Sequence, residues 1–407
     1  MGSFHSRTGR SRTGARLPNA TPGASLIDAI NLTKQLIRRP SVTPADAGAM
    51  DVVQEALTGL GFVCRRMKFG EIENLYARYG TASPNLCFAG HTDVVPVGDA
   101  GAWSQDAFEA AVVDGILIGR GAVDMKSAIA AFAAACAAAL AAGQVTGSLS
   151  FLITGDEEGV ATHGTRMVVE ALDLEDEVIS HCVVGEPSSS AVFGDMIKVG
   201  RRGSINVEIA VQGVQGHVAY PHRAANPAPV LLRLLLRLQD RRLDEGYPEF
   251  QPSNLEITRI DVPNTATNVI PGTASARLNI RFNPNHTGDD LARWIQAEAD
   301  AAARDFNGSV TVTPQISGEA FLTAPGPFTD VVAAAVRDVA GRDPELSTSG
   351  GTSDARFIRA LCPVVELGLV GATMHQVDER APIAEILQLQ ATYERLIERY
   401  FEAFGEA

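Results

Sequence analysis

Several apolar runs in this chain stop abruptly at acids or histidines. The run "NLCFAGHTD" delivers His91 and Asp93, "LSFLITGDEEG" delivers Asp156, Glu157 and Glu158, and "HCVVGEP" delivers Glu186. "ILIGRGAVDMKS" puts Asp124 between a strand and a helix start, and "PVVELGLVGATMHQVDE" puts His375 after a strand near the C-terminus. In an open parallel sheet, residues just past the carboxyl ends of strands converge on one crevice. The strand ends therefore point to one site.

From about residue 25 to 200, such runs alternate with helical patterns at 46–60 and 126–142. That order predicts an α/β layer with a mainly parallel central sheet. Between about 203 and 315 the pattern changes to alternating strands ("SINVEIAVQG", "NLEITRIDV", "SARLNIRFN") around helices near 227–243 and 287–305. This block reads as a smaller α+β domain inserted into the first, which resumes over 316–407 and closes with an amphipathic helix at 382–404. A length of 407 residues agrees with two cores rather than one.

A net charge of −14 offers no general attraction for nucleic acid or an anionic membrane. The most apolar segment, "SAIAAFAAACAAALAA", is Ala-dominated and too short to span a bilayer, so it reads as a packed interior helix ended by Gly143. Five scattered cysteines without a C-x-x-C pair suggest neither a disulfide framework nor a thiolate metal site, and fit a reducing cytoplasm. Residues 1–24, rich in Ser, Gly and Arg, read as a disordered extension.

Each unusual residue has an ordinary reading. Asp156, Glu157 and Glu158, bracketed by Gly155 and Gly159, could form a solvated turn, and His91 a hydrogen-bonded loop histidine. Asp124 could cap a helix, Glu186 could be a turn acid, and His375 a surface residue. Five such coincidences at strand ends are far less common than one. Two histidines among carboxylates suit a borderline divalent cation, and a bridging carboxylate would allow two ions. A nearby +2 charge turns carboxylate crowding into attraction. Of the adjacent pair Glu157 and Glu158, one could then bind an ion while the other acts as general base.

The motifs "GHTDVVP", "GRGAVDMKS", "TGDEEG", "GEP" and "MHQVDE" resemble, in order, the metal-site motifs of the M20 metallopeptidase and amidohydrolase family. The resemblance implies a zinc-peptidase-like catalytic domain with an inserted dimerisation (lid) domain, and two Zn2+ per subunit, for which Co2+ could substitute. It implies that His91 and Glu186 bind one ion, Glu158 and His375 the other, and that Asp124 bridges them. Glu157 would be the general base and Asp93 the partner of His91.

"GRRGSINVEI", "GVQGHVAYPHRAANP", "TNVIPG", "LNIRFNP" and "SGGTSDARF" resemble the branch that removes succinate from N-succinyl-LL-2,6-diaminopimelate. Such an anionic small molecule needs local cations and amide donors, and Arg201, Ser204, Asn268, Arg281, Gly351, Thr352 and Arg356 lie in these motifs. By the same resemblance, His217 would complete the active site of the other subunit in a homodimer joined through the inserted domain. Read alone, a single arginine here could be a surface ion pair, Gly350-Gly351 a tight turn, and His217 a core or loop histidine. Another deacylase of the family, such as one acting on acetylornithine, a dipeptidase, or a non-catalytic metal-dependent binding protein are the alternatives. An intact Glu157 argues against the last, because a binder needs the ligands but not the base.

Overall fold

Alanine dominates the helix Lys126–Ala141, and this lets other elements approach it closely. Every residue from Lys126 to Ala137 is buried. In the computed structural model, which describes residues 27–405, this helix packs against the helices Ala29–Ile37 and Ile383–Phe404 and the strand Asn85–His91. The extension expected over 1–24 lies outside the described residues. Phe132 projects from the helix into an aromatic cluster, with its ring centroid 4.6 Å from Phe88, 5.2 Å from Tyr393 and 5.3 Å from Phe151.

The sheet beneath is mixed, with a parallel centre. Ser148–Thr154, Asn85–His91, His181–Val184 and Val364–Glu366 lie side by side and parallel. On one flank Ile72–Tyr79 and Val63–Phe69 pair antiparallel. On the other, Met196–Lys198 runs antiparallel to Val364–Glu366 and parallel to Glu345–Ser347. Asn85–His91 and Ser148–Thr154 are buried at every position, because helices cover both faces of the sheet.

A second layer has its own core. Asn254–Asp261, Thr273–Phe282, Gly203–Gln212 and Ser309–Gly318 form an antiparallel sheet in that order. The helices Pro227–Gln239 and Gly288–Ala302 cover it around Leu234, Leu238, Leu278 and Ile295. Asn226 caps the first helix through the Ala228 N–H, and Pro227 fills a position that needs no donor. Thr287 caps the second through the Asp290 N–H.

The helices expected at 46–60, 227–243 and 287–305 are shorter, at Ala49–Gly59, Pro227–Gln239 and Gly288–Ala302. Helices Ala29–Ile37, Thr165–Leu174 and Pro327–Ala340 were not foreseen. The strand before Asp124 also differs from expectation. Ile116–Ile118 is outside the central sheet and pairs instead with Ala111–Val113 and Arg380–Pro382. No helix among the described residues is long and apolar enough to cross a membrane.

Phe132→Ala should destabilise the protein by about 3–5 kcal/mol, the usual cost of emptying a packed aromatic site. Leu174→Ala, at a position 86% exposed, should stay within about 0.5 kcal/mol. Urea denaturation of both variants checks the contrast.

Candidate active site

Three of the five expected positions sit at the ends of the parallel central strands. His91 is the last residue of its strand, Glu157 and Glu158 follow Thr154, and Glu186 follows Val184. Asp124 and His375 arrive differently, and here the picture of five ends of one sheet is corrected. Asp124 follows the short strand Ile116–Ile118 of the three-stranded sheet. His375 lies in the loop beyond Val364–Glu366, after the turn Gly371–Thr373. Pairing of Arg380 with Ile118 brings those two loops together. Asp124 caps no helix, since no side chain caps Lys126–Ala141 at its N-terminus.

Asp124 is the centre of the cluster. Its Oδ1 lies 3.1 Å from His91 Nε2 and its Oδ2 3.2 Å from His375 Nε2. Glu186 Oε1 is 3.6 Å from His91 Nε2, and Glu158 Oε1 is 2.9 Å from His375 Nε2. The other nitrogen of His91, Nδ1, donates to the main-chain carbonyl of Asp93 at 2.9 Å, with the Asp93 carboxylate at 3.6 Å. That carboxylate accepts the main-chain N–H groups of Glu157 and Glu158 at 3.2 and 3.0 Å. Asp93 therefore fixes both the imidazole and the acidic turn.

Burial opposes a charged His91, but Asp124, Asp93 and Glu186 outweigh it and push its pKa well above the ordinary value. Hydrogen bonds donated to the Asp124 and Glu158 carboxylates push His375 up to about 10. Burial acts to raise Asp124, yet the two histidines hold it below the usual carboxylate range. Glu157 is raised well above that range by burial and by Asp354, Glu158 and Asp124, with His91 opposing. Glu186 is raised by burial, Asp124 and Glu157. Burial lifts Asp93 to about 6.

Without another positive charge the cluster must hold protons. Divalent cations would supply that charge, and the donors fit them. Ligand atoms of His91, Asp124 and Glu186 lie within 4.8 Å of one another, as do those of Asp124, Glu158 and His375. The two sets share Asp124, the arrangement of a dinuclear centre with a bridging carboxylate.

Residues 87–399 match the family model described as peptidase family M20/M25/M40. The chain belongs to this family. This M20 chain is 79% identical over 378 residues to the succinyl-diaminopimelate desuccinylase of Phenylobacterium zucineum, a match covering 93% of the chain and 100% of the relative. It is 67% identical over 389 residues to the desuccinylase of Caulobacter vibrioides, covering 96% and 100%. Among solved structures, an M20 family metallo-carboxypeptidase from Sulfolobus solfataricus superposes with a TM-score of 0.75 at 16% identity, covering 92% of this chain and 99% of that one. The aminopeptidase PepT from Bacillus cereus gives 0.74 at 20% identity, covering 92% and 99%. At those identities the likeness is one of fold.

In this M20 chain the acids open onto a cleft of about 1130 Å³ between the two layers. Of the residues expected to hold substrate, Arg201, Arg281, Gly351, Thr352 and Arg356 line it. Arg201 is already paired with Glu366, which Ser353 also contacts, and donates to the Ser349 carbonyl at 3.1 Å. Arg281 has no acidic partner among the described residues, and its Nη1 and the Nε of Arg356 are buried without hydrogen bonds. Ser204 is buried away from the cleft wall and accepts from Asn279 at 3.1 Å. His217 and Asn268 are brought together by an exposed two-stranded pairing of segments distant in sequence, where the Val218 N–H donates to the Asn268 carbonyl, but the cleft wall of this chain does not include them.

Sequence reasoning passed over four residues. Lys198 lines the cleft and donates to Ser349 Oγ at 2.7 Å. Glu366, the partner of Arg201, was detectable as a lone acid inside the apolar "PVVELGLVG". Arg120 and Glu379, an ion pair 2.7 Å apart, stand within the quoted motifs "GRGAVDMKS" and "MHQVDE".

Because hydrogen bonds to Asp124 and Glu158 raise the His375 pKa to about 10 in the metal-free chain, an incoming cation competes with a proton for its imidazole, and the raised proton affinity of Glu186 acts in the same direction. Metal affinity should therefore rise with pH throughout the range below that value, with measurable proton release. Metal titrations between about pH 6 and 8 in weakly buffered solution check this. A flat affinity would contradict the charge arrangement.

Proposed function

We propose that this M20 chain hydrolyses the amide bond of N-succinyl-LL-2,6-diaminopimelate, giving succinate and LL-2,6-diaminopimelate. The observation that carries the reading is the match, at 79% identity over 93% of the chain, to a succinyl-diaminopimelate desuccinylase. The cleft supports it. A substrate with three carboxylates needs cations that are not already neutralised, and Arg281 and Lys198 stand in the wall for that purpose, with Arg356, 3.9 Å from Asp354, beside them. The free state of all five cysteines supports a cytoplasmic setting.

Asp124, bridging, would hold two divalent ions with His91 and Glu186 on one side and Glu158 and His375 on the other. In our reading the ions are zinc, with cobalt able to substitute. When bound, they supply Lewis acidity, polarising the amide carbonyl and making water more acidic. Glu157 faces the cleft beside them and, although its carboxylate also lies within 4.8 Å of ligand atoms of His91 and Glu158, it is outside the two sets that share Asp124; its raised proton affinity suits a group that takes a proton and returns it. It removes a proton from the attacking water as the oxygen adds to the carbonyl carbon. It then delivers that proton to the nitrogen as the C–N bond breaks. Gly351 and Thr352, with Arg281 and Arg356, hold the substrate carboxylates.

We assign residues 25–202 and 316–407 to the catalytic unit and 203–315 to a lid that also joins two subunits. Its separate core supports this division, as does the outer face of Pro227–Gln239, where Leu232 and Leu236 are 53% and 58% exposed. The exposed strand pair of His217 and Asn268 then reaches the partner's cleft, where this chain's His217 donates to the developing oxyanion.

A substrate panel tests the activity directly. The succinylated diaminopimelate should be cleaved far faster than acetylornithine or dipeptides, and Arg281→Ala should lower its kcat/KM by about 10–100-fold, as expected when a charged hydrogen bond is lost. Preference for acetylornithine would move the chain to another branch of the family.

Glu157→Ala should keep its metal and lose about 10²–10⁴-fold in turnover. Co-expressed with His217→Ala, it should recover about a quarter of wild-type activity, since random pairing makes half the dimers mixed with one intact site of two. A folded, isolated mixed dimer with no activity would remove His217 from the partner's site.

A further inference from the structure

Arg120 and Glu379 are 2% and 0% exposed, although they lie among loops. Burying two charges forfeits their hydration, so such a pair is a poor source of net stability. Its contacts suggest another purpose. Glu379 Oε1 accepts the main-chain N–H groups of Gly121, Val123 and Asp124 at 3.1, 2.9 and 3.1 Å. Its Oε2 takes Arg120 Nη1 at 2.7 Å. Arg120 also donates to the carbonyls of Gln376 and Pro96, each at 3.2 Å, and of His375 at 3.5 Å.

One ion pair thus joins three segments: the loop that follows His91 and Asp93, the turn that carries Asp124, and the loop that carries His375. Neither residue lines the cleft, so neither can touch substrate. Building on the dinuclear reading, we infer that Arg120 and Glu379 are positioning residues that set the separation of Asp124 and His375, and so how tightly the Asp124–Glu158–His375 position holds its ion. Held by one carboxylate, the three N–H groups fix the Asp124 main chain. Held by one guanidinium, the carbonyls fix the approach of His375. A change at either residue loosens both.

The pair also has a built-in reporter. The Arg120 guanidinium stands 5.3 Å from the centre of the Trp103 ring, and Trp103 Nε1 donates to the Val97 carbonyl at 2.9 Å. The chain's other tryptophan, Trp294, lies in the second layer beneath Arg241. With W294F, Trp103 becomes the sole indole emitter.

The test uses the full chain carrying W294F, stripped of metal and titrated with zinc against a chelating dye, alone and with E379Q or R120K. Both variants should keep wild-type circular dichroism and bind one of the two ions, the one assigned to Asp124, Glu158 and His375, about 10–100-fold less tightly. Trp103 emission in the chain with an intact pair should change in step with that ion. If the parent chain binds no zinc, the dinuclear reading falls and this inference with it. If the parent binds two ions and folded E379Q binds both as tightly, the positioning role alone is overturned. The Trp103 titration leaves the pair unaltered, so a silent Trp103 overturns the role even if the variants fail to fold.

Discussion

Carboxylate crowding around Asp124 is the constraint on which the rest of the structure depends. Asp124, Glu157, Glu158 and Glu186 share a small volume, opposed at close range by His91 and His375. Ionised carboxylates cannot be packed this way without added positive charge or bound protons. The fold supplies the rigidity that holds them there. Glu186 owes its place partly to Gly185, where an added Cβ would lie 2.6 Å from Phe88 Cζ and 2.7 Å from Ala128 Cβ. The close seating of the alanine-rich helix on the sheet and the placement of a candidate metal ligand are therefore one packing problem.

The second constraint is electrostatic and has the opposite sign. Burial, Arg202 and Arg356 together hold the Arg281 pKa below its ordinary value. Lys198, desolvated and near Arg201, falls to about 8. A cluster of cations on one wall and of carboxylates on another would be unfavourable in an empty cleft. Each is a standing demand for a counter-charge, divalent cations for the acids and an anionic molecule for the arginines. A net-negative protein can bind an anionic molecule where cations such as Arg281 and Lys198, without close acidic partners among the described residues, line one cleft.

Much of this was legible in the sequence because apolar strands that stop at an acid or histidine carry fold and chemistry in the same few residues. His91, Glu157, Glu158 and Glu186 could be read that way. Asp124 and His375 were found by residue type and motif, but their route to the site was misjudged. Three-residue strands such as Ile116–Ile118 leave too little pattern to say which sheet they join. The helix Thr165–Leu174 escaped notice because Gly164, without a side-chain cap, precedes it and only four of its residues are buried. The pairing of Arg201 with Glu366 and of Arg120 with Glu379 was invisible for a different reason. Separations of 165 and 259 positions are set by the tertiary fold, and no local pattern encodes them.

The chain enters the second layer along Gly203–Gln212 and leaves it along Ser309–Gly318, and these strands pair so that Ser204 sits opposite Gly318. Entry and exit are therefore neighbours, and topologically the layer is a detour from the central fold. Because its core shares no residue with the cores around the central sheet, the detour can be rebuilt without repacking the acids and histidines around Asp124. Architecture of this kind separates two evolutionary tasks. The acids around Asp124 stay with the sheet, while the second layer lends the cleft side chains such as Asn206, Arg281 and Gln315.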